Sequence, residues 1–323
     1  MQPNMEIFYD IKDTMIVPEC AATIGVFDGV HAGHRQVIKQ MMDEAQQHGY
    51  KSMVITFDKL PQQLFVPGFQ AQLITTLDEK IQLLGELGID YLVVLPFDMQ
   101  IAQLTAREFM AQILHERLNV KALCIGYDNQ FGRGRMETFD DYVEYGKALG
   151  MRVFKAIEVQ FKGFDVPVSS SLIRHLITEE GRVFEASQML KHYYKLTGRV
   201  VAGEHIGTGL GYPTANVVPD NAEKLIPADG VYAVWASIEG GEPMQAMMNI
   251  GKRPTFDGKQ RTLEVHIFDY EGDLYGKQIA ISFAHLVRFE RYFSSADELK
   301  KQIKKDEVFI RETFEKIAKL TQK

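Results

Sequence analysis

An α/β domain built on a parallel sheet, followed by an all-β barrel and a closing helix, is what the hydrophobic patterning of these 323 residues predicts. Three observations carry that prediction. The first half alternates short apolar runs with helix-period segments, the pattern of a parallel sheet covered on both faces. From about Leu196 the segments become short and alternating, with glycine or proline turns between them, which reads as an antiparallel barrel or sandwich. The last stretch sets Leu299, Ile303, Ile310, Phe314 and Ile317 at helical spacing behind the capping-box sequence Ser295-Ala296-Asp297-Glu298, so the chain closes on an amphipathic helix.

Along the first half, Ala22 to Phe27 is an apolar run that ends in a glycine turn, and His34 to Gln47 reads as a helix. Lys51 to Phe57 is the next strand. Thr76-Leu77-Asp78-Glu79 has capping-box spacing and opens a helix that stops near Gly88. Tyr91 to Leu95 is a third strand, and Thr105-Ala106-Arg107-Glu108 opens another capped helix. Lys121 to Ile125 and Arg152 to Ile157 are further strands, separated by a helical segment near Tyr142 to Leu149. In the second half, Leu196 to Ala202, Gly230 to Ile238, Met244 to Ile250, Thr262 to Tyr270 and Gln278 to His285 are the strands. The change of pattern places a boundary within residues 181 to 190, giving domains over residues 1–186 and 187–323.

The formal net charge of −7 disfavours a broad nucleic-acid surface, which needs an excess of Lys and Arg. It leaves room for one nucleotide held by backbone amides and a metal ion. The two cysteines, Cys20 and Cys124, match no zinc spacing and read as reduced thiols of a cytoplasmic protein. No basic-then-apolar leader is visible, and the longest apolar runs are strand-length, far below the roughly 20 residues of a membrane span. Small molecules, not nucleic acid or membrane, are the expected partners, and oligomeric state is not legible.

Two strings carry chemistry. The first, Gly25-Val26-Phe27-Asp28-Gly29-Val30-His31-Ala32-Gly33-His34, follows the first predicted strand, at the carboxyl edge where parallel sheets bind ligands. His31 and His34, three apart at a strand-to-helix turn, can aim both rings one way. Gly29 and Gly33 allow close backbone approach, and the amides of the following helix favour an anion. The set suits a triphosphate; a structural turn with two exposed histidines, or a zinc site lacking a third ligand, are the other readings of the bare spacing.

The second string is Gly207-Thr208-Gly209-Leu210-Gly211-Tyr212-Pro213-Thr214-Ala215-Asn216. It is neither a dinucleotide fingerprint nor a P-loop: no helix passes through Pro213 and no Gly-Lys-Ser/Thr follows. A flexible hairpin is its plain reading. In an extended chain Thr214 and Asn216 project to one face, and two neutral oxygen ligands so placed suit a hydrated magnesium that also takes phosphate oxygens.

The first string resembles the His-x-Gly-His signature of nucleotidylyltransferases, and more specifically the N-terminal module of bacterial bifunctional riboflavin kinase/FMN adenylyltransferases. Gly126-Tyr127-Asp128-Asn129-Gln130-Phe131-Gly132 is similar to that family's glycine-rich segment, and Ser169-Ser170-Ser171-Leu172-Ile173-Arg174 to its Ser-Ser-Thr-x-x-Arg signature. The second string resembles the Pro-Thr-Ala-Asn motif of riboflavin kinases. Pro227 to Tyr232, Asn249 to Phe256, Leu263 to Phe268, Asp273 to Gly276 and Arg288-Phe289-Glu290-Arg291-Tyr292-Phe293 resemble further family segments.

The resemblance implies a Rossmann-type adenylyltransferase domain and a riboflavin-kinase barrel. ATP would phosphorylate riboflavin to FMN on the second domain and adenylylate FMN to FAD on the first, releasing pyrophosphate. It implies ATP contacts at Gly25, Phe27, Asp28, Gly33, Asp128, Ser170 and Ser171, with His31, His34 and Arg174 acting on the phosphates. In the kinase it implies a glycine flap of Gly207, Gly209 and Gly211, Mg2+ on Thr214 and Asn216, flavin contacts at Arg288, Glu290 and Phe293, and Glu264 as base. Read without the family, Glu264 is a solvent-facing strand residue, opposite in face to Leu263, Val265 and Ile267. The chemistry fits: FMN's phosphate is already anionic and needs no base, whereas the ribityl hydroxyl does. Two departures stand out. Ser171 replaces the family's threonine, and Thr56-Phe57-Asp58-Lys59-Leu60-Pro61 lacks the histidine of the family's Pro-His-Pro. They leave a second reading open, a riboflavin kinase with a degenerate N-terminal nucleotide-binding domain.

Overall fold

The structure, a computed structural model, describes residues 5–9, 11, 17–127, 129–161, 163–164, 166–202, 211–255 and 258–321, with backbone alone at 252–255, 258–260 and 320–321. The chain divides into two compact units, Met1–Ser170 and Ser171–Lys323.

The first unit is a six-stranded parallel sheet. Its strands are β1 (Glu6–Tyr9), β2 (Cys20–Ile24), β3 (Lys51–Phe57), β4 (Tyr91–Leu95), β5 (Val120–Ile125) and β6 (Arg152–Lys155), in the order β1-β4-β3-β2-β5-β6. Between them run α1 (Ala32–His48), α2 (Pro61–Phe65), α3 (Leu77–Gly85), α4 (Met99–Gln103), α5 (Ala106–Glu108, continuing as a π-helix over Phe109–Arg117) and α6 (Phe139–Ala148). The central strands β2 and β3 are almost wholly buried because both faces are covered. Ile38 and Met41 of α1 and Leu84 of α3 pack on one face, and Phe109, Met110 and Ile113 with Tyr142 on the other. The chain leaves β2 toward β3 on one side and reaches β5 on the other, so the crevice between β2 and β5 is the topological switch point, where such sheets bind ligands.

The caps at Thr76 and Thr105 form as the sequence predicts. Each threonine hydroxyl accepts the amide three residues on, at 3.3 and 3.2 Å, and each Glu returns a bond to the threonine amide, at 2.9 and 2.8 Å. The Ser295 box closes only halfway. Its hydroxyl accepts the Glu298 amide at 3.2 Å, but the Glu298 carboxylate turns to the amide and hydroxyl of Ser294. Strand β1 is absent from the sequence reading: four residues at a sheet edge, half exposed, carry too little periodicity to register.

The second unit opens with α7 (Ser170–Thr178, its first residue in the first unit) and α8 (Val183–Leu190). A closed six-stranded antiparallel barrel follows: β7 (Tyr194–Val201), β8 (Ala215–Pro219), β9 (Gly230–Ile238), β10 (Met244–Thr255), β11 (Gly258–Ile267) and β12 (Gln278–Phe289), ordered β10-β11-β8-β7-β12-β9. The hairpin β10–β11 extends past the predicted strand ends because its pairing runs on to Thr255 opposite Gly258. Helix α9 (Ala296–Thr321) lies on the barrel's outer face: Ile310 and Phe314 bury against Val231, Ala233 and Met247, and Phe314 meets Trp235 at 4.6 Å.

Cys20 and Cys124 lie inside β2 and β5, where burial pushes both thiols up to about 12 and leaves them poor nucleophiles. Among the described residues no helix is long and apolar enough to cross a membrane.

Candidate active sites

The loop that carries His31 and His34 leaves β2 at Gly25, whose amide donates to Ile55 O at 3.0 Å. The loop needs left-handed backbone at Phe27 (φ 52°), Gly29 (φ 86°) and Val30 (φ 40°). Only the glycine takes it freely, so the other two must be held by their surroundings. The Asp28 carboxylate is buried and accepts the amides of Ile74 and Thr75 at 3.2 and 2.9 Å, while the Gly29 amide donates to the Thr75 hydroxyl at 2.9 Å. Asp28 thus clasps the loop to the segment leading into α3. The Ser170 hydroxyl donates to Asp28 O at 2.9 Å.

His31 is the N-cap of α1. Its Nδ1 accepts the His34 amide at 3.3 Å, which assigns the neutral ring's proton to Nε2. The two imidazoles stack with centroids 3.6 Å apart, and the edge of Phe27 meets His34 at 5.2 Å. Two rings that start a helix and face one way match the arrangement expected of His-x-x-His.

Gly33 is required by this packing. A Cβ there would stand 3.1 Å from the His31 ring and 3.3 Å from Val168 O. Gly33→Ala is therefore expected to displace His31 at a cost of about 1–3 kcal/mol, the usual range for overpacking. Steady-state assays of the two activities that the resemblance implies should show a weakened first-domain reaction with the second-domain reaction unchanged; a loss of both would contradict this account.

Across the switch point, the segment after β5 is tied to the same edge. Asn129 Nδ2 donates to Ile24 O at 2.5 Å, and Tyr142 Oη both accepts the Phe131 amide at 3.0 Å and donates to Phe131 O at 2.8 Å. Asn129 is a residue the motif contained but that carried no role in the sequence reading. Asp128 lies outside the described residues, as do Gly207 and Gly209. Ser171 and Arg174 are on α7, and both belong to the second compact unit.

The segment that departs from Pro-His-Pro has its own local order. Asp58 Oδ1 accepts the Phe97 amide at 2.8 Å, the Leu60 amide donates to Gln63 Oε1 at 2.7 Å, and Leu60 is buried. Beside it an aromatic cluster forms from residues far apart in sequence. Phe97 meets Phe57 at 5.2 Å and Phe65 at 6.2 Å, both edge to face, and Phe65 stays 57% exposed. Such a cluster at the sheet's carboxyl edge offers a surface for a planar ring.

In the second unit the barrel register sets the site. Glu264 on β11 lies opposite Asn216 on β8 and opposite Asn249 on β10. Asn249 is two residues from Met247, which packs against α9, so the row Asn249–Glu264–Asn216 is on the barrel's outer face. Glu264 is only 8% exposed, which corrects its reading as a solvated strand residue. Thr214 Oγ1 donates to Glu264 Oε2 at 3.3 Å and Thr262 Oγ1 to Oε1 at 3.4 Å. Asn216 on β8, Glu264 on β11 and Thr214 just before β8 are therefore gathered together, and Asn249 is a neighbour that sequence spacing alone could not reveal.

Helix α9 frames this row. Tyr212 Oη donates to Glu307 at 3.1 Å, and His266 Nδ1 meets Pro213 O at 2.7 Å, fixing the approach to Thr214. Gly211, with φ 83°, makes the turn before it. Arg288 pairs with buried Asp306 at 2.9 Å; Arg288 and Arg291 both lie over the Phe293 ring, at 5.4 and 4.7 Å. A Cβ on Gly251 would collide with the Glu290 carboxylate, so Glu290 is folded back against β10. Arg288 and Phe293 thus stack at the end of β12, while Glu290 lies against Gly251 of β10.

A parallel sheet with histidines at its switch point, joined to a barrel whose outer face gathers hydroxyl, amide and carboxylate oxygens, has the two-module build of the transferases that its two family matches name. Residues 13–172 match the family model of FAD synthetase and residues 190–314 that of riboflavin kinase. A bifunctional riboflavin kinase/FMN adenylyltransferase of Escherichia coli (strain K12) is 37% identical over 312 residues, 96% of this chain and 98% of its own. One of Bacillus subtilis (strain 168) is 36% identical over 290 residues, covering 88% and 89%. A crystal structure described as a macrolide-efflux protein from Streptococcus pneumoniae superposes with TM-score 0.85 at 31% identity, covering 94% of this chain and 98% of that one. The chain belongs to the bifunctional riboflavin kinase/FMN adenylyltransferase family.

Proposed function

We propose that the chain makes FAD in two steps: ATP phosphorylates riboflavin to FMN on the barrel, and a second ATP adenylylates FMN on the parallel-sheet unit, releasing pyrophosphate. The observation that carries this reading is the retention of both sites in one chain, matched along nearly its whole length by relatives bearing both activities in their names. It is favoured over a kinase with a degenerate first module because His31, His34 and Gly33 are built as a packed unit, not as a relic turn.

In the kinase reaction, Glu264 takes the proton of the ribityl 5′-hydroxyl as its oxygen bonds to the γ-phosphorus of ATP and ADP departs. The donors beside it, a hydroxyl and an amide oxygen, are hard ligands that fit Mg2+, and one carboxylate nearby suits a cation that arrives with its nucleotide. Thr214 and Asn216 would hold it; the hydroxyl proton of Thr214 already points at Glu264, leaving its lone pairs for a cation. Bound there, the cation would neutralise charge on the phosphate oxygens. Gly211, with Gly207 and Gly209, closes over ATP, and Arg288, Glu290 and Phe293 seat the flavin.

In adenylyl transfer, an FMN phosphate oxygen bonds to the α-phosphorus of ATP as pyrophosphate leaves. His31 Nε2 donates to the phosphate oxygens, His34 backs it and Ser170 adds a hydroxyl, while Gly25, Phe27, Asp28 and Gly33 shape the pocket; Arg174, Ser171 and Asp128 keep the phosphate-binding roles that their motifs imply. The Phe57–Phe97–Phe65 cluster supports the flavin ring. Domains divide near residue 186, and the two buried thiols suit work in a reducing cytoplasm.

Riboflavin, ATP and Mg2+ incubated with the purified chain should yield FMN and then FAD, and chelation with EDTA should abolish both. FMN without FAD at high enzyme concentration would restore the kinase-only reading.

A further inference from the structure

Lys80, in the first turns of α3, is the one buried lysine at the carboxyl edge of the sheet among the described residues, with 6% of its surface exposed. Its Nζ donates to Val26 O at 3.0 Å, to Thr56 Oγ1 at 3.0 Å and to Phe57 O at 3.1 Å. Val26 opens the nucleotide loop and Phe57 ends β3, and the Thr56 hydroxyl itself donates to Val26 O at 3.1 Å. All three ammonium protons are used, and two of them span the strand ends between which the loop emerges.

The loop needs such support. Phe27 and Val30 hold left-handed backbone that neither residue favours. Asp28 and Ser170 fix the loop's middle, and Arg35 Nε fixes Val30 O at 3.0 Å. Lys80 fixes its first residue from behind. A side-chain amide could tie two carbonyls without burying a charge, and buried cations are costly. What the ammonium adds is a positive field directed at a loop built to receive polyanions. The acidic groups facing it are Asp28, from the loop, and Asp58, from the segment after β3.

We propose that Lys80 is a positioning residue for adenylyl transfer, a buried cation that holds the start of the nucleotide loop and places positive charge behind the bound triphosphate. This rests on the reading that the loop is the adenylylation site. Burial brings the Lys80 ammonium down to about 8, so it loses its proton within a range open to assay. The neutral amine keeps two donors and no charge.

The test uses the full chain, with riboflavin phosphorylation as an internal control. Lys80→Met should lower kcat for FAD formation by about tenfold or more, a range typical of lost transition-state contacts, with KM for FMN and kinase turnover unchanged. In the wild type, kcat/KM for ATP in FAD formation should fall above pH about 8, and the same limb in kcat should lie higher, because bound triphosphate stabilises the cation. Lys80→Arg, which stays charged, should lack the limb. Wild-type kcat in Lys80→Met, no high-pH limb in the wild type, or an unshifted limb in Lys80→Arg would each overturn the proposal. Should Lys80→Met fail to fold, the wild-type and Lys80→Arg profiles decide. A wild type that forms no FAD at any pH would instead remove the underlying reading.

Discussion

Glu264→Gln is expected to lower riboflavin phosphorylation by about 10²–10⁴-fold, the usual contribution of a positioned base. Glutamine matches glutamate in size and can still accept the hydroxyl of Thr214, now 3.3 Å from the carboxylate, so the barrel row should persist. What it cannot do is take the proton of the ribityl hydroxyl. The signature is therefore a fall in kcat with riboflavin binding nearly intact, while FAD formation from supplied FMN proceeds at the wild-type rate. Stopped-time assays with riboflavin and with FMN as alternative substrates separate the two. Kinase turnover that survives the substitution would remove Glu264 as the base.

His31→Ala should act in the opposite module, lowering FAD formation by about 10²–10³-fold, as loss of one charge-stabilising donor does elsewhere. Two effects combine. The donor at Nε2 disappears, and the His34 amide loses its acceptor at 3.3 Å, so the first turn of α1 loses its cap. Capping alone is worth about 0.5–2 kcal/mol, too little to account for the whole loss. His31→Asn retains a capping oxygen without the imidazole and should restore the stability of the first unit but not its activity. Recovery of FAD formation in that variant would show that His31 serves only as a cap.

The elements legible in the sequence are those whose signals are local. Lys51–Phe57, Tyr91–Leu95 and Gly230–Ile238 are strands bounded by turn residues and coincide with the observed ends. The caps at Thr76 and Thr105 need only four residues to specify. Each motif string likewise lies within about ten residues, which is why both could be picked out before any tertiary contact was known. Glu264 shows the limit. Alternation along β11 gives its face correctly, but a face is buried or solvated according to what lies over it, and that depends on Thr214, fifty positions away in sequence.

By itself the sequence determined the two folds, the family and the two strings, because strand and helix periods, caps and short motifs are set by neighbours within one or two turns. The tertiary structure alone decided which side chains meet. Barrel register sets Glu264 between Asn216 and Asn249. Sheet order puts Asn129 beside the end of β2 and gathers Phe57, Phe65 and Phe97 at one edge. Burial turns Lys80, which in sequence is one lysine on an amphipathic helix, into a cation clamped between two strand ends. The physical reason is common to all of them: pairing and packing join residues whose separation along the chain carries no periodic signal.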